Sequence, residues 1–512
     1  MTFCPYSVDL FAEEEGFCGT NGRKNRNRFP NGLYLLDYFV LNLGIWEPYA
    51  HQISLEGKKR MRGSIPADDI MSSVHETYRD NTDLEYRTLS GGGRSMTVLY
   101  LKSLCDSKKI THSLIAPFFE MGASGSFAGY LWSLPGVTQP FGSEQAVGQV
   151  LKGFTVILLE KRIYLYEAAY AATSGISDAS VESIVQGPAD AFNEDIDVNI
   201  NMVRRRYESE RLKVETGSVG RTSRTKIALI YDTQRVDPKI LQELKARLGR
   251  IDVDLIQSAA QLQKQLNTQS IQLFPELMVT ERPDRVVQNL ACGRIGVLVN
   301  TTGFALILPS VFDDFFTSMD DVYQFRIVGQ FLKIIRYIGL FLTLTLPAFY
   351  IAFTSYNPEI LKDQLTLLIA GSRASVPYPS FVEVLFMLLM MEFLIEASLR
   401  LPKAVGPTAT TVGGLILGQA ATEAGLVGNI MVIIVSAVAI SNFVIPITMM
   451  NFSIRVLKYG FIFLASIFGL VGIVLGFIAL VMYLSNLESF GQPYLRISVK
   501  LPWKDVIPLG RK

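Results

Sequence analysis

Glu392, Glu396 and Arg400 stand four residues apart in the most apolar third of the chain. Lys403 and Glu423 follow in the same glycine-dense stretch, LMMEFLIEASLRLPKAVGPTATTVGGLILGQAATEAG (389–425). At that spacing the first three side chains share one helix face. Glu396 can pair with Arg400, whereas Glu392 has no oppositely charged residue at helical spacing. An ionised group inside a bilayer costs about 2.5–3.5 kcal/mol on insertion scales and turns toward protein or water. This helix is therefore expected to be amphipathic, with Glu392 and Glu396 facing a polar interior. Two roles fit: a structural ion pair near the interface, or a cation path or gate. Glu383, on the opposite face near the helix end, is expected to reach water.

The segment that follows is uncharged but built from Gly, Thr, Ala and one Gln. Gly406, Thr410, Gly414, Gly418 and Thr422 recur at every fourth residue, and Gly414 with Gly418 forms a GxxxG that admits a second backbone at close range. It is either a further span packed on its neighbours or a re-entrant segment lining a water-filled path, where irregular backbone is tolerated. The candidate ion-path residues are Glu392, Glu396, Gly414, Gly418, Gln419 and Glu423, with Glu396–Arg400 as a structural ion pair.

Positioning these residues requires membrane helices. A span needs roughly 20 apolar residues. Four runs qualify, near 337–358, 380–399, 428–447 and 459–486, and the 405–422 segment makes four to five. With four spans, seven flanking cations (Lys333, Arg336, Arg400, Lys403, Arg496, Lys500, Lys504) oppose four (Lys362, Arg373, Arg455, Lys458); with five the division is six against five. Positive charge favours the cytoplasmic side, so four spans with both ends cytoplasmic are expected.

The first 330 residues are different. Charges recur every few residues and nothing there reads as a span. KIALIY (226–231) reads as a strand, PKILQELKARLG (238–249) as an amphipathic helix, and PDRVVQNLACG as a short helix leading into the paired strands of RIGVLVNTTGFALILP. Earlier, SMTVLYL, QAVGQVLKG and FTVILLEKRIYLYEA repeat the pattern. The fold class expected is an N-terminal α/β soluble region of two related subdomains followed by an α-helical polytopic membrane domain. Its parts are an extension over 1–69, subdomains at 70–175 and 176–330, a membrane domain at 331–488 and a cytoplasmic tail at 489–512. Residues 121–143 read as loop. The stretch GPADAFNEDIDVNINMVRRRYESERLKVET reads as helical, with Arg204, Arg205 and Arg206 on a solvated face toward acidic neighbours or, less simply, toward a phosphate or lipid.

Several classes are disfavoured. A net charge of +1 argues against a nucleic-acid partner. The four cysteines are scattered and the three histidines lack ligand spacing, so no metal, cofactor or disulfide framework is expected, and the thiols suit a reducing compartment. No Walker loop, HExxH or GxSxG is present, and SGGGRS (90–95) reads as a turn. No enzyme activity is expected. The first 30 residues lack the apolar core of a secretory signal.

GPADAFNEDIDVNINMVRRR, TERPDRVVQNLACGRIGVLVNTTGFALILP, EASLRLPKAVG and VGGLILGQAATEAGLV, in that order, resemble the signature stretches of spore germination receptor A subunits over roughly residues 70–490. The chain departs from the usual pattern near Asn193–Asp197 and at Ala404. The resemblance implies a spore inner-membrane protein with its large N-terminal region in the core. It implies partnership with a transporter-like B subunit and a lipoprotein C subunit, and contact with membrane lipid. It further implies self-association into a ring that releases cations in response to a nutrient. A secondary transporter moving a small solute is the alternative, although no inverted repeat is evident among the spans; a membrane-anchored enzyme lacks a catalytic constellation.

Overall fold

The computed structural model describes residues 66–496 except 122–126, 171–176, 183, 185, 268–271 and 403–405. The expected extension and the end of the tail fall largely outside these residues. The α/β expectation holds: two five-stranded antiparallel sheets share one strand order. The first contains β1 (Leu84–Gly91), β2 (Arg94–Leu101), β3 (Val137–Thr138), β4 (Phe154–Leu159) and β5 (Arg162–Glu167), in the order β1-β2-β4-β5-β3. The second contains β6 (Leu212–Val219), β7 (Thr225–Asp232), β8 (Met278–Thr280), β9 (Ile295–Val299) and β10 (Ala305–Leu308), in the order β6-β7-β9-β10-β8. Each has a helix between its third and fourth strands in chain order, α3 (Ser143–Leu151) and α7 (Pro283–Ala291), and each closes with a hairpin. SGGGRS is the tight turn of the β1–β2 hairpin, with Gly92 and Gly93 at φ 59° and 80°, as a two-residue hairpin turn requires.

Two sequence expectations fail here. Residues 127–133 form a short helix, α2 (Phe127–Ser133), rather than loop; Phe127 and Leu131 are buried on it. The long helix expected through residue 216 ends at Arg206, as α4 (Ile196–Arg206), and RLKVET instead opens β6. Leu212 and Val214 bury on one face, and the alternation outweighs the charged composition. α4 joins the two sheets. Arg204, fully buried, donates to Asp83 at 2.9 Å and to Asn81 at 3.2 Å, while Asn201 donates to the Ser103 carbonyl at 2.7 Å. Arg206 pairs with Asp190. The arginine run meets acidic neighbours, but its first member is a buried pin rather than part of a solvated face.

After β10 the chain makes a short turn, Phe312–Phe316, and enters the helices α8 (Arg326–Ser355), α9 (Asp363–Arg373), α10 (Ser380–Arg400), α11 (Gly406–Glu423), α12 (Asn429–Phe443) and α13 (Thr448–Asn486). By length and composition, α8 and α13 are apolar and long enough to cross a membrane. The expected final span over 459–486 requires correction, because α13 is not straight. Gly469 has φ 57° and ψ −134°, a conformation glycine alone adopts at ease, and the helix folds back on itself there. Phe461 and Phe477 lie with ring centroids 5.0 Å apart. A Cβ at Gly472 would overlap the Leu464 carbonyl, and one at Gly476 would sit 3.0 Å from Phe461 Cε1. Glycine therefore makes the turn and lets the two arms, α13a (448–468) and α13b (470–486), approach.

Six helical runs thus alternate between two ends. α8 starts beside the sheets, where Lys333 meets Asp313, and finishes where the Tyr356 hydroxyl donates to the Ser466 carbonyl beside the Gly469 turn. α10 starts at that far end, with Ser380 against Ser355, and α11 returns, bringing Gly425 next to Ser375. α12 starts there too, its Gly428 N–H bound to Glu383 at 2.8 Å, and runs back until Ser441 meets Gly339. α13a leaves from the sheets, and α13b comes back to them, where Tyr483 accepts from Leu273 N–H at 3.2 Å. Residues 488–496 then lie on the second sheet's region: Tyr494 donates to the Pro275 carbonyl at 2.9 Å and Ser489 to the Glu276 carbonyl at 2.8 Å. One apolar core runs from Val214, Ile230 and Leu298 of the second sheet through Phe312 and Phe316 to Leu344, Met450 and Leu484 of the helices.

Two measurements check this architecture. Phe461→Cys with Phe477→Cys should form a disulfide in membranes, because the hairpin puts the positions side by side; a straight helix would hold them about 24 Å apart and give none. Glu276 is buried with its carboxyl pushed above the usual range by desolvation, so the protonated form is favoured in the fold. Its stability contribution is complete below the unfolded-state value and is lost as pH rises through the raised one. Glu276→Gln should accordingly raise the melting temperature at pH 8 and leave it nearly unchanged at pH 4.

Candidate functional site

The residues singled out from sequence lie on the α10–α11 hairpin. α10 begins after Pro379, and Gly413 and Gly414 of α11 face Leu394 of α10 across the pair. Glu392, which has no partner at helical spacing, finds two on another helix. Its carboxylate accepts from Arg455 Nε at 2.9 Å and from Lys458 Nζ at 2.7 Å, both on α13a. The Lys458 side chain is 2% exposed and that of Glu392 18%. Partners 63 and 66 residues away are invisible to a search at helical spacing. Glu392 is therefore the tie between the hairpin and the last helix pair. One carboxylate faces two cations, so the cluster carries an excess positive charge.

Glu383 also departs from expectation. It is 1% exposed rather than turned to water. It accepts from Gly428 N–H at 2.8 Å and Tyr350 Oη at 3.2 Å, and lies 3.3 Å from Arg373 Nε. It gathers α8, α9, α10 and the start of α12 at one point. Glu396 accepts from Arg400 at 2.7 Å on an exposed face. Gln419 donates to Glu423 at 2.9 Å, also exposed. These two pairs are not brought together with the Glu392 cluster by any hydrogen bond or ion pair among the described residues.

The glycines of α11 do not do what GxxxG suggests inside this chain. A Cβ at Gly414 would meet Leu394 at 3.9 Å and one at Gly418 would meet Val432 at 3.7 Å, both ordinary contacts with side chains rather than a close backbone. The segment is a continuous helix rather than the irregular backbone expected of a broken segment. Its outer face carries Val412, Leu415 and Ile416, and Leu415 is 71% exposed.

Sequence reasoning missed the joint between sheets and helices. Lys333 and Arg336, counted only as flanking charges, are buried: Lys333 Nζ lies 2.7 Å from Asp313, whose other oxygen accepts from Tyr337 at 2.6 Å. Arg336 grips Asp321 with two nitrogens and donates to the Phe316 carbonyl at 3.1 Å. Behind them Arg294 holds Asp314 at 2.7 Å, and Tyr323 donates to Asp284 at 2.8 Å. Asp284 in turn binds Arg282, which is wholly buried and donates to the Glu182 and Pro188 carbonyls. The signal was present: four aspartates within FDDFFTSMDD, between an apolar strand and an apolar helix that begins with three cations, Arg326, Lys333 and Arg336. Nearby, a cavity of about 370 Å³ lies where Val279 and Phe304 of the second sheet's region meet Ile447–Met449. Its walls are apolar, and Glu182 at its edge is spent on Arg285 at 3.0 Å.

The sequence profile of the Bacillus/Clostridium GerA spore germination protein family matches residues 72–509. Spore germination protein GerLA of Bacillus cereus is 32% identical over 437 residues, covering 83% of this chain and 89% of that protein. Spore germination protein KA of Bacillus subtilis (strain 168) is 33% identical over 453 residues, covering 86% and 83%. The crystal structure of the N-terminal domain of the A subunit of the Bacillus megaterium spore germinant receptor GerK3 aligns with 47% of this chain and 94% of that one, at 23% identity and a TM-score of 0.37.

The charge cluster makes a specific demand. Removing the carboxylate by Glu392→Ala leaves two cations without their partner and should cost about 3–5 kcal/mol, the range for breaking a buried pair. Thermal unfolding of the purified chain in detergent should show it. Adding Lys458→Met should recover part of the loss, whereas Glu396→Ala, on an exposed pair, should cost less than about 1 kcal/mol.

Proposed function

The chain belongs to the Bacillus/Clostridium GerA spore germination protein family, and on that premise we propose that it is the membrane subunit of a nutrient-germinant receptor. The six helical runs cross the spore inner membrane and, by self-association, border a germinant-gated cation path. The B-type transporter-like and C-type lipoprotein subunits are its proposed partners. The observation that carries the reading is the alternation of six runs between two ends, with sheets and tail at one of them. Among the described flanking cations, Lys333, Arg336, Arg400 and Arg496 lie toward the sheet end and Lys362 and Arg373 toward the other, while Arg455 and Lys458 within α13a are committed to Glu392. Four against two is a bias that supports the sheets lying in the cytoplasm, the spore core. No catalytic constellation stands among the described residues of the N-terminal region, which suits a receptor subunit.

The proposed path runs along the α10–α11 hairpin, past Glu396, Gly414, Gly418, Gln419 and Glu423. Glu392 takes a different part from that expected: committed to Arg455 and Lys458, it anchors the hairpin. Gly414 and Gly418 leave room where α11 lies against Leu394 and Val432, and carboxylates in a site of low dielectric attract cations strongly. A neighbouring copy would cover Val412, Leu415 and Ile416.

Spores carrying Gly414→Leu should hold wild-type levels of the protein yet release cations slowly, or not at all, when given the nutrient that triggers the parent. Normal release from such spores would remove α11 from the path. Substrate flux by the chain alone in proteoliposomes would replace the receptor reading with a transporter.

A further inference from the structure

We propose that α9 is an interfacial helix, lying on the membrane surface at the end of the helical region remote from the sheets, with Ile360, Leu365 and Leu368 in the boundary between headgroups and acyl chains. The proposal rests on the membrane-spanning reading above and adds a lipid-binding surface to it.

At 11 residues α9 spans about 16 Å, half of what a crossing needs. The chain enters it from the end of α8 and leaves it for the start of α10, and those two ends touch through Ser355 and Ser380. It is thus held at one level of the bundle. Its inner side is fixed. Thr366 donates to the Pro358 carbonyl at 3.3 Å, Ile369 packs against the core of α8, α10 and α12, and Arg373 reaches Glu383. Gly428 lies against Ser372, where a Cβ would stand 2.9 Å from the serine hydroxyl.

Among the described residues nothing covers the remaining sides of α9, and none of its residues is buried. Leu365, Leu367 and Leu368 are exposed, with Ile360 just before them at 55%. Such a helix in water forfeits apolar burial, whereas at an interface it gains it. Three features select lipid as the occupant. Tyr356 and Tyr378, both exposed, bracket the segment, and tyrosine favours the headgroup level. Lys362 opens the helix, where an ammonium suits anionic headgroups. Tyr356 also packs on the Gly469 turn, so the exposed apolar surface continues from α9 to Phe468 and Val471 of the α13 hairpin.

The test uses the full chain with Cys4, Cys18 and Cys292 changed to Ser and the buried Cys105 kept. A bimane fluorophore is attached at Leu368→Cys or, as a reference within the bilayer, at Val471→Cys. The chain is reconstituted into phosphatidylethanolamine–phosphatidylglycerol vesicles. Quenching at 368 by lipid carrying a nitroxide near the headgroup should be at least half that at 471, with little quenching by aqueous iodide. Quenching at 368 by iodide alone, with 471 still quenched by lipid, would place the helix in water and overturn the proposal. Quenching at 368 by neither agent would mean that another copy or subunit covers the leucines, which also overturns it. Loss of lipid quenching at 471 as well would bring down the membrane reading itself.

Discussion

The arrangement depends on a few charges buried where the sheets meet the helices. Lys333 is 1% exposed and its ammonium is met by Asp313; Arg336 is met by Asp321. Desolvating such groups is expensive, and the attraction between partners offsets it only when geometry is good and the remaining donors and acceptors are used. Here Tyr337 donates to the second oxygen of Asp313, and Arg336 donates to the Phe316 carbonyl as well as to Asp321. These pairs need not add net stability. Their effect is to exclude other registers, because sliding or turning α8 by one residue would bury a cation with no partner. With α8 fixed, its far end fixes Tyr356, and Tyr356 seats the Gly469 turn and hence both arms of α13.

The same logic links the family's signature stretches, which are distant in sequence but contiguous here. TERPDR supplies Arg282 and Asp284. GPADAF supplies the carbonyl of Pro188 that Arg282 binds, and Asp190, which Arg206 holds. Asp284 receives Tyr323, which lies two residues from Asp321 and so one step from Arg336 and α8. On the other side α4 carries Arg204 into the first sheet's Asp83. A displacement of the first sheet therefore meets a chain of charged contacts leading to the base of α8.

Much of the α/β architecture was legible because local signals coincide. At Asp237-Pro238 a capping side chain and a proline mark a helix start, and the apolar spacing through Leu248 carries it to Gly249. The two strands of RIGVLVNTTGFALILP are buried along nearly their whole length and bounded by turn residues. β6 was missed because its lysine and glutamate mask an edge strand. The fold-back at Gly469 was missed because an unbroken apolar run reads as one span, although Gly469, Gly472 and Gly476 mark where bulk is forbidden. The roles of Glu392 and Arg204 were not legible at all from spacing, since each depends on a partner more than 60 residues away.

Charge balance within the helices constrains where a cation path can run. Glu383 and Glu392, which sequence alone offers as membrane carboxylates, are both consumed inside the protomer. The Glu392 cluster has one negative group against two positive ones, and at low dielectric that excess repels a passing cation rather than attracting it. The side of α10 that meets α13a is therefore a poor wall for such a path. Glu396 and Glu423 remain on exposed surface, each with one neighbour on its own helix, Arg400 and Gln419. Gln419 is neutral, so the charge of Glu423 is undiminished, and it stands at the end of α11 remote from the sheets. A path bordered by α11 would thus meet its uncompensated negative charge at the outer mouth, where it concentrates cations before the narrow glycine-lined stretch.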